Sequence, residues 1–111
     1  MAAQTERVLA RARERFAVQD YYGTVHLLEE IVATGRAFAD VHHLLGVSLS
    51  LLGQRERALA ELARALELNP RYLEALIHLG LVLAELGRGA EAAEALRRAA
   101  SSVSPPAEGL P

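Results

Sequence analysis

Apolar residues recur every three or four positions through most of this chain, and the recurrence is interrupted at even intervals by Gly35, Gly53, Asn69-Pro70 and Gly87-Arg88-Gly89. That spacing gathers the apolar positions on one face of successive amphipathic helices. Six helices are predicted. The first covers about residues 5–18, with Thr5 as N-cap ahead of Glu6, and the second covers about 22–33, stopping near Gly35. The third begins at Ala39, carries Asp40 in its first turn and ends near Leu52, where Gly53 supplies the turn. The fourth spans about 55–68 and is closed by Asn69-Pro70, because the residue before a proline disfavours helix. The fifth and sixth span about 71–86 and 89–101. The stretch after them, Ser-Ser-Val-Ser-Pro-Pro-Ala-Glu-Gly-Leu-Pro, reads as a non-helical tail or linker.

The pattern itself repeats at 34 residues. Leu45-Gly46, Leu49, Leu52-Gly53, Ala58, Leu62, Arg64 and Ala65 return as Leu79-Gly80, Leu83, Leu86-Gly87, Ala92, Leu96, Arg98 and Ala99, nine identities at one offset. A period of this length means stacked helical hairpins, none of which buries its apolar face alone. Gly46 and Gly80 fall in the middle of predicted helices, where glycine costs up to ~1 kcal/mol relative to alanine. They make sense where the second helix of the same hairpin crosses closely. The packing set is therefore Leu45, Gly46, Leu49, Ala58, Leu62 and Ala65, with Leu79, Gly80, Leu83, Ala92, Leu96 and Ala99 one period on.

The spacing resembles the tetratricopeptide repeat, whose pattern is Trp-x2-Leu-Gly-x2-Tyr, then Ala-x3-Phe, then Pro. Here it reads His42-x2-Leu45-Gly46-x2-Leu49, Ala58-x3-Leu62 and Pro70, then Leu76-x2-Leu79-Gly80-x2-Leu83 with Ala92-x3-Leu96. The large aromatics are replaced, so His42 takes the place of the packing Trp. An earlier copy shows in Gln19-Asp20-Tyr21-Tyr22, Leu28 and Ile31. The resemblance implies an all-α, right-handed superhelical stack of three antiparallel hairpins, an α-solenoid. Its repeats would cover about 5–38, 39–72 and 73–104 of one domain, 1–104, with a Pro-rich tail or linker at 105–111.

A strict offset would place Arg11 and Arg15 where later copies carry Leu45 and Leu49. Burying unpaired arginine is expensive. Sliding the first helix by one residue instead aligns Leu9, Ala12 and Phe16 with His42, Leu45 and Leu49, and shortens the first hairpin turn by one residue. That alignment sends Arg7, Arg11 and Arg15 together onto one solvated face beside Glu6 and Glu14.

Composition narrows the function. The 111 residues are 51% hydrophobic and 23% charged with a net charge of −2, which offers no bulk attraction to nucleic acid or anionic lipid. There is no cysteine, which removes disulfides and thiolate chemistry. The N-terminus has no apolar segment behind a basic start, no apolar run approaches ~20 residues, and the expected location is the cytoplasm.

By the resemblance, function lies in a groove lined by the first helix of each hairpin. Carried over position by position, its lining is Asp40, His43, Val47, Ser50 and Leu51, then Glu74, Ile77, Leu81, Ala84 and Glu85. Val47, Leu51, Ile77 and Leu81 would form an apolar stripe, with Asp40 and Glu74 as carboxylates at corresponding places on its rim. Such a stripe marks a binding surface for an amphipathic or apolar peptide segment with basic flanks. Its occupant is open between a foreign peptide, the chain's own tail through Val103 or Leu110, and a second copy. The acidic pair also has a plain reading as first-turn residues favoured by the helix dipole. The Lys, Arg and Asn clamp with which members of the family grip a peptide's C-terminal carboxylate is missing from these positions, which argues against chaperone tails. The expected role is a protein-interaction or scaffold module, with self-assembly or a helper domain of a longer protein as the alternatives. No catalytic constellation is present, so no enzyme, cofactor or metal is expected. His43 and His78 can meet across neighbouring helices, but two imidazoles without a third ligand make a poor zinc site.

Overall fold

A computed structural model describes residues 2–103. Among them are six helices and no strand: α1 Ala2–Ala17, α2 Tyr21–Ala33, α3 Ala39–Leu51, α4 Arg55–Leu68, α5 Leu73–Glu85 and α6 Gly89–Val103. α1 packs on α2, α3 on α4 and α5 on α6, while α2 meets α3 and α4 meets α5, so three hairpins stack in chain order. The body measures 50 × 32 × 25 Å. One apolar core runs through it, from Ala12 by way of Leu28, Ile31, Leu45, Leu49 and Leu62 to Leu76 and Ala99. The tail or linker expected at 105–111, Leu110 included, lies outside the described residues.

The mid-helix glycines sit where the partner helix comes closest. A Cβ on Gly46 would lie 2.8 Å from Leu62 Cγ and 3.3 Å from the Ala58 carbonyl oxygen. On Gly80 it would lie 2.8 Å from Leu96 Cγ and 3.4 Å from the Ala92 oxygen. Real Cβ atoms essentially never come within 2.8 Å of another carbon, so at this closeness either leucine would have to shift before a side chain fitted, and the carbonyl oxygens leave little room behind it.

The first hairpin follows the strict 34-residue register, which corrects the one-residue slide. Three residues separate the two helices in each hairpin. Each turn is closed by the same bond, donated by Asp20 N to Arg15 O (2.8 Å), Gln54 N to Leu49 O (2.9 Å) and Arg88 N to Leu83 O (2.8 Å). Gln19, with φ 63°, takes the left-handed place that Gly53 (80°) and Gly87 (77°) hold later. Hence Arg7, Arg11 and Arg15 do stand at the positions of Val41, Leu45 and Leu49, and all three are exposed. No burial cost arises, because among the described residues no hairpin covers that side of α1. Arg15 also pairs with Asp20 at 3.7 Å.

Two helix ends differ from expectation. α1 begins at Ala2, so Thr5 lies within the helix rather than capping it. α6 continues through Ser101, Ser102 and Val103, with the Ser102 hydroxyl donating to the Arg98 carbonyl at 2.9 Å.

Candidate interaction face

The first helices of the three hairpins bring their side chains together on one face. α3 touches α5 directly, and α1 reaches α3 through Arg13, whose Nη2 lies 3.3 Å from Asp40 Oδ2. The upper part of this face is a polar and aromatic cluster. His43 Nε2 is 2.8 Å from His78 Nδ1, and His43 Nδ1 is 3.3 Å from the Tyr72 hydroxyl. Ring centroids are 4.9 Å apart for His43 with Tyr72 and again for His43 with His78. Each neutral imidazole has one donor and one acceptor nitrogen, so the chain of bonds runs in a single direction from Tyr72 to His78 or back.

Burial lowers the His43 pKa and the facing His78 lowers it further, while Glu74 and Asp40 pull it up by less. Tyr72 is raised, first by burial and then by Asp40 and Glu74, with Arg13 opposing. The cluster therefore favours a neutral His43 and a protonated phenol. His42, the next residue, faces the opposite way: it is buried and its Nδ1 lies 2.7 Å from Glu61 Oε1 on α4.

One turn further along, the face becomes apolar. Val47, Ser50 and Leu51 of α3 and His78, Leu81, Val82 and Glu85 of α5 line a cleft of about 190 Å³ floored by Leu62. Leu51 and Leu81 are each 53% exposed and Ile77 is 38% exposed, an unusual outlay of large aliphatic surface. Ile77 stands one helical turn from Leu81, outside the cleft lining, and Ala84 is exposed beyond it. Glu85 is held by Arg55 at 3.3 Å.

The two rim carboxylates are not alike. Asp40 is paired with Arg13, whereas Glu74 is exposed and has no ion pair among the described residues. Asp40 also borders a larger apolar cleft of about 650 Å³ with Leu9, Ala37, Phe38, Val41 and Leu68. One period on, Tyr72 folds onto His43, but Phe38 stays 73% exposed. Phe38 lacks the hydroxyl with which Tyr72 reaches His43 Nδ1, and Leu9 stands where His43 stands.

Arg13 and Tyr72 are the site residues that sequence reasoning missed. A strict offset places Arg13 with Val47 and Leu81, and Tyr72 with Phe38. The one-residue slide hid the first of these. Among the described residues no three His, Cys, Asp or Glu side chains gather to hold a metal ion, and no helix is long and apolar enough to cross a membrane.

The tetratricopeptide-repeat description matches residues 39–72 and again 73–102, together more than half of the chain. The chain belongs to the tetratricopeptide-repeat family. No curated protein matches its sequence. Among solved structures it is similar to MamA, with a TM-score of 0.87 at 24% identity over 89% of this chain and 58% of that one. It is similar to YrrB, described as a TPR protein with an unusual peptide-binding site, with a TM-score of 0.83 at 24% identity over 92% of this chain and 53% of that one. The TPR2B domain of yeast Sti1, solved as a complex with pHsp70, gives a TM-score of 0.87 at 20% identity over 97% of this chain and 86% of that one. This tetratricopeptide-repeat chain thus spans a little over half the length of MamA and YrrB. At these identities the likeness is one of fold. As a member of the family, this chain is a protein-interaction module, an all-α repeat solenoid.

Proposed function

We propose that the α1–α3–α5 face binds a peptide segment of a partner protein, with one or two large apolar side chains seated between α3 and α5 and a cationic residue beside Glu74. The observation that carries this reading is the exposed Leu51, Ile77 and Leu81 around the cleft floored by Leu62. Aliphatic surface of that kind is favourable to remove from water at roughly 25 cal/mol per Å². Charge supports the sign of the flank: Asp40 and Glu85 are already paired with Arg13 and Arg55, which leaves Glu74 as the unbalanced group. The same balance disfavours an acidic tail, since Arg13 is engaged by Asp40 and the corresponding places of later repeats carry Val47 and Leu81. The related fold of Spaghetti (RPAP3) was solved bound to an HSP90 peptide, SRMEEVD; the present face lacks the free cations such a peptide asks for.

A random peptide library displayed on phage and selected at pH 7.5 tests the proposal. Enriched sequences are expected to combine aliphatic or aromatic residues with a neighbouring Lys or Arg. Joint Val47→Glu and Leu81→Glu substitution is expected to abolish their binding while light scattering shows an unchanged mass. Retained binding by the double variant overturns the assignment of the site. A lower mass after substitution shows instead that a second copy of the chain fills the face.

A further inference from the structure

We propose that the bond between His43 and His78 is a proton-operated latch on this face, closed at neutral pH and released when both rings carry charge. The inference deepens the peptide-binding reading, since the latch borders the cleft: His78 is part of its lining, and His43 is four residues before Val47.

The geometry admits one added proton but not two. In the neutral pair a single N–H sits between His43 Nε2 and His78 Nδ1, 2.8 Å apart, and the other His43 nitrogen meets the Tyr72 hydroxyl. A first proton is accommodated on either ring, because one facing nitrogen then donates and the other accepts, and His43 Nδ1–H can donate to the Tyr72 oxygen. A second proton puts N–H groups on both facing nitrogens. No acceptor remains between them, and two cations stand at hydrogen-bonding distance, so the contact has to open.

The surrounding charges set how far this can be offset. From α1, Arg13 faces the cluster and is matched by Asp40 of α3. From α5, Glu74 supplies one uncompensated negative charge, enough to balance the first proton and not the second. Tyr72 precedes α5 and stays neutral. From α4, Glu61 is turned to His42 on the other side of α3. The α6 pairs Arg88 with Glu91 and Arg97 with Glu94 lie on their own exposed surface. Burial and the facing ring further disfavour charge on His43. Opening is therefore confined to the acid side of neutrality. Since the His43–His78 bond joins α3 to α5, its loss frees the two walls of the Val47–Leu81 cleft to move relative to each other.

The test needs no peptide. The full chain, labelled with 15N at histidine and backbone, is titrated from pH 8 to pH 4 by NMR. The His43 ring is expected to respond in two distinct steps, the behaviour of one member of a coupled pair. The lower step should be accompanied by shifts in the Val47 and Leu81 amides. In His78→Gln the side-chain amide keeps an acceptor for His43 and cannot take the second proton, so the acid shift of these amides should vanish. Independent single titrations of the two rings near the ordinary value of about 6.5, with the cleft amides still, would overturn the latch. So would an acid amide shift that persists in His78→Gln. The wild-type titration decides by itself should that variant not fold. Because the readout uses the free protein, a failed latch leaves the phage selection at pH 7.5 intact, and a failed selection leaves the titration intact.

Discussion

The second and third hairpins carry the same packing pattern, Leu-Gly on the first helix and Ala-x3-Leu on the second, yet they are not equally buried. Leu62 has no exposed surface, whereas Leu96, one period later, is 42% exposed. Their local contacts match to within two tenths of an ångström, each leucine Cγ lying 2.8 Å from where the facing glycine's Cβ would be. What differs is the next layer. α4 is covered by α5, while among the described residues nothing covers the far side of α6. In a linear stack a residue's energetic weight depends on whether its hairpin has a neighbour on both sides, and local sequence is blind to that.

Substitutions at these positions, from the harshest to the mildest, test how much the missing neighbour matters. Gly46→Leu should cost the most, above about 3 kcal/mol by urea unfolding, because the immobile Leu62 and the Ala58 carbonyl leave no room. Leu62→Ala comes next at about 3 kcal/mol, the loss for a fully buried leucine. Gly80→Leu should lower the melting midpoint clearly but by less, about 2 kcal/mol, since Leu96 can turn outward into solvent. A Gly80→Leu melting curve identical to wild type would sink the close-crossing argument for both glycines. Leu96→Ala should cost only about 1 kcal/mol, in keeping with its partial burial.

The smallest effect is in pH. The fold lowers the His43 pKa, through burial and then through His78, so the folded state favours the neutral ring. Below the unfolded value of about 6.5 the unfolded chain binds the proton more readily, and stability falls with pH from there toward the depressed folded value. A thermal-melting series from pH 7.5 to pH 5 should show that decline, and His43→Gln should flatten it. An equal slope in the variant would assign the decline to other groups.

Much of the architecture was legible in the chain. Gly53 and Gly87 announced their turns, Asn69-Pro70 closed α4, and Gly46 and Gly80 revealed close crossings, because each meets a steric demand that few residue types can satisfy. The first hairpin was harder to place. Gln19 adopts the left-handed turn without being glycine, and arginines occupy positions that are core elsewhere, so two dependable signals pointed to a false slip. Both resolve once α1 is seen to have a bare outer face. The same slip concealed Arg13, and with it the difference between a neutralised Asp40 and an unpaired Glu74. Tyr72 was missed for another reason: it precedes α5, and only the folding of its ring onto His43 brings it to the face.

The period, the six helices, the hairpin pairing and the family are written in the chain, since these follow from contacts that recur at fixed spacing. Tertiary structure alone decided which leucines count, which carboxylate is free, and that His43 and His78 share a hydrogen bond. Those properties depend on residues roughly a repeat apart in the chain, where angstrom-scale distance and burial by a neighbouring hairpin, rather than residue type, set the energy.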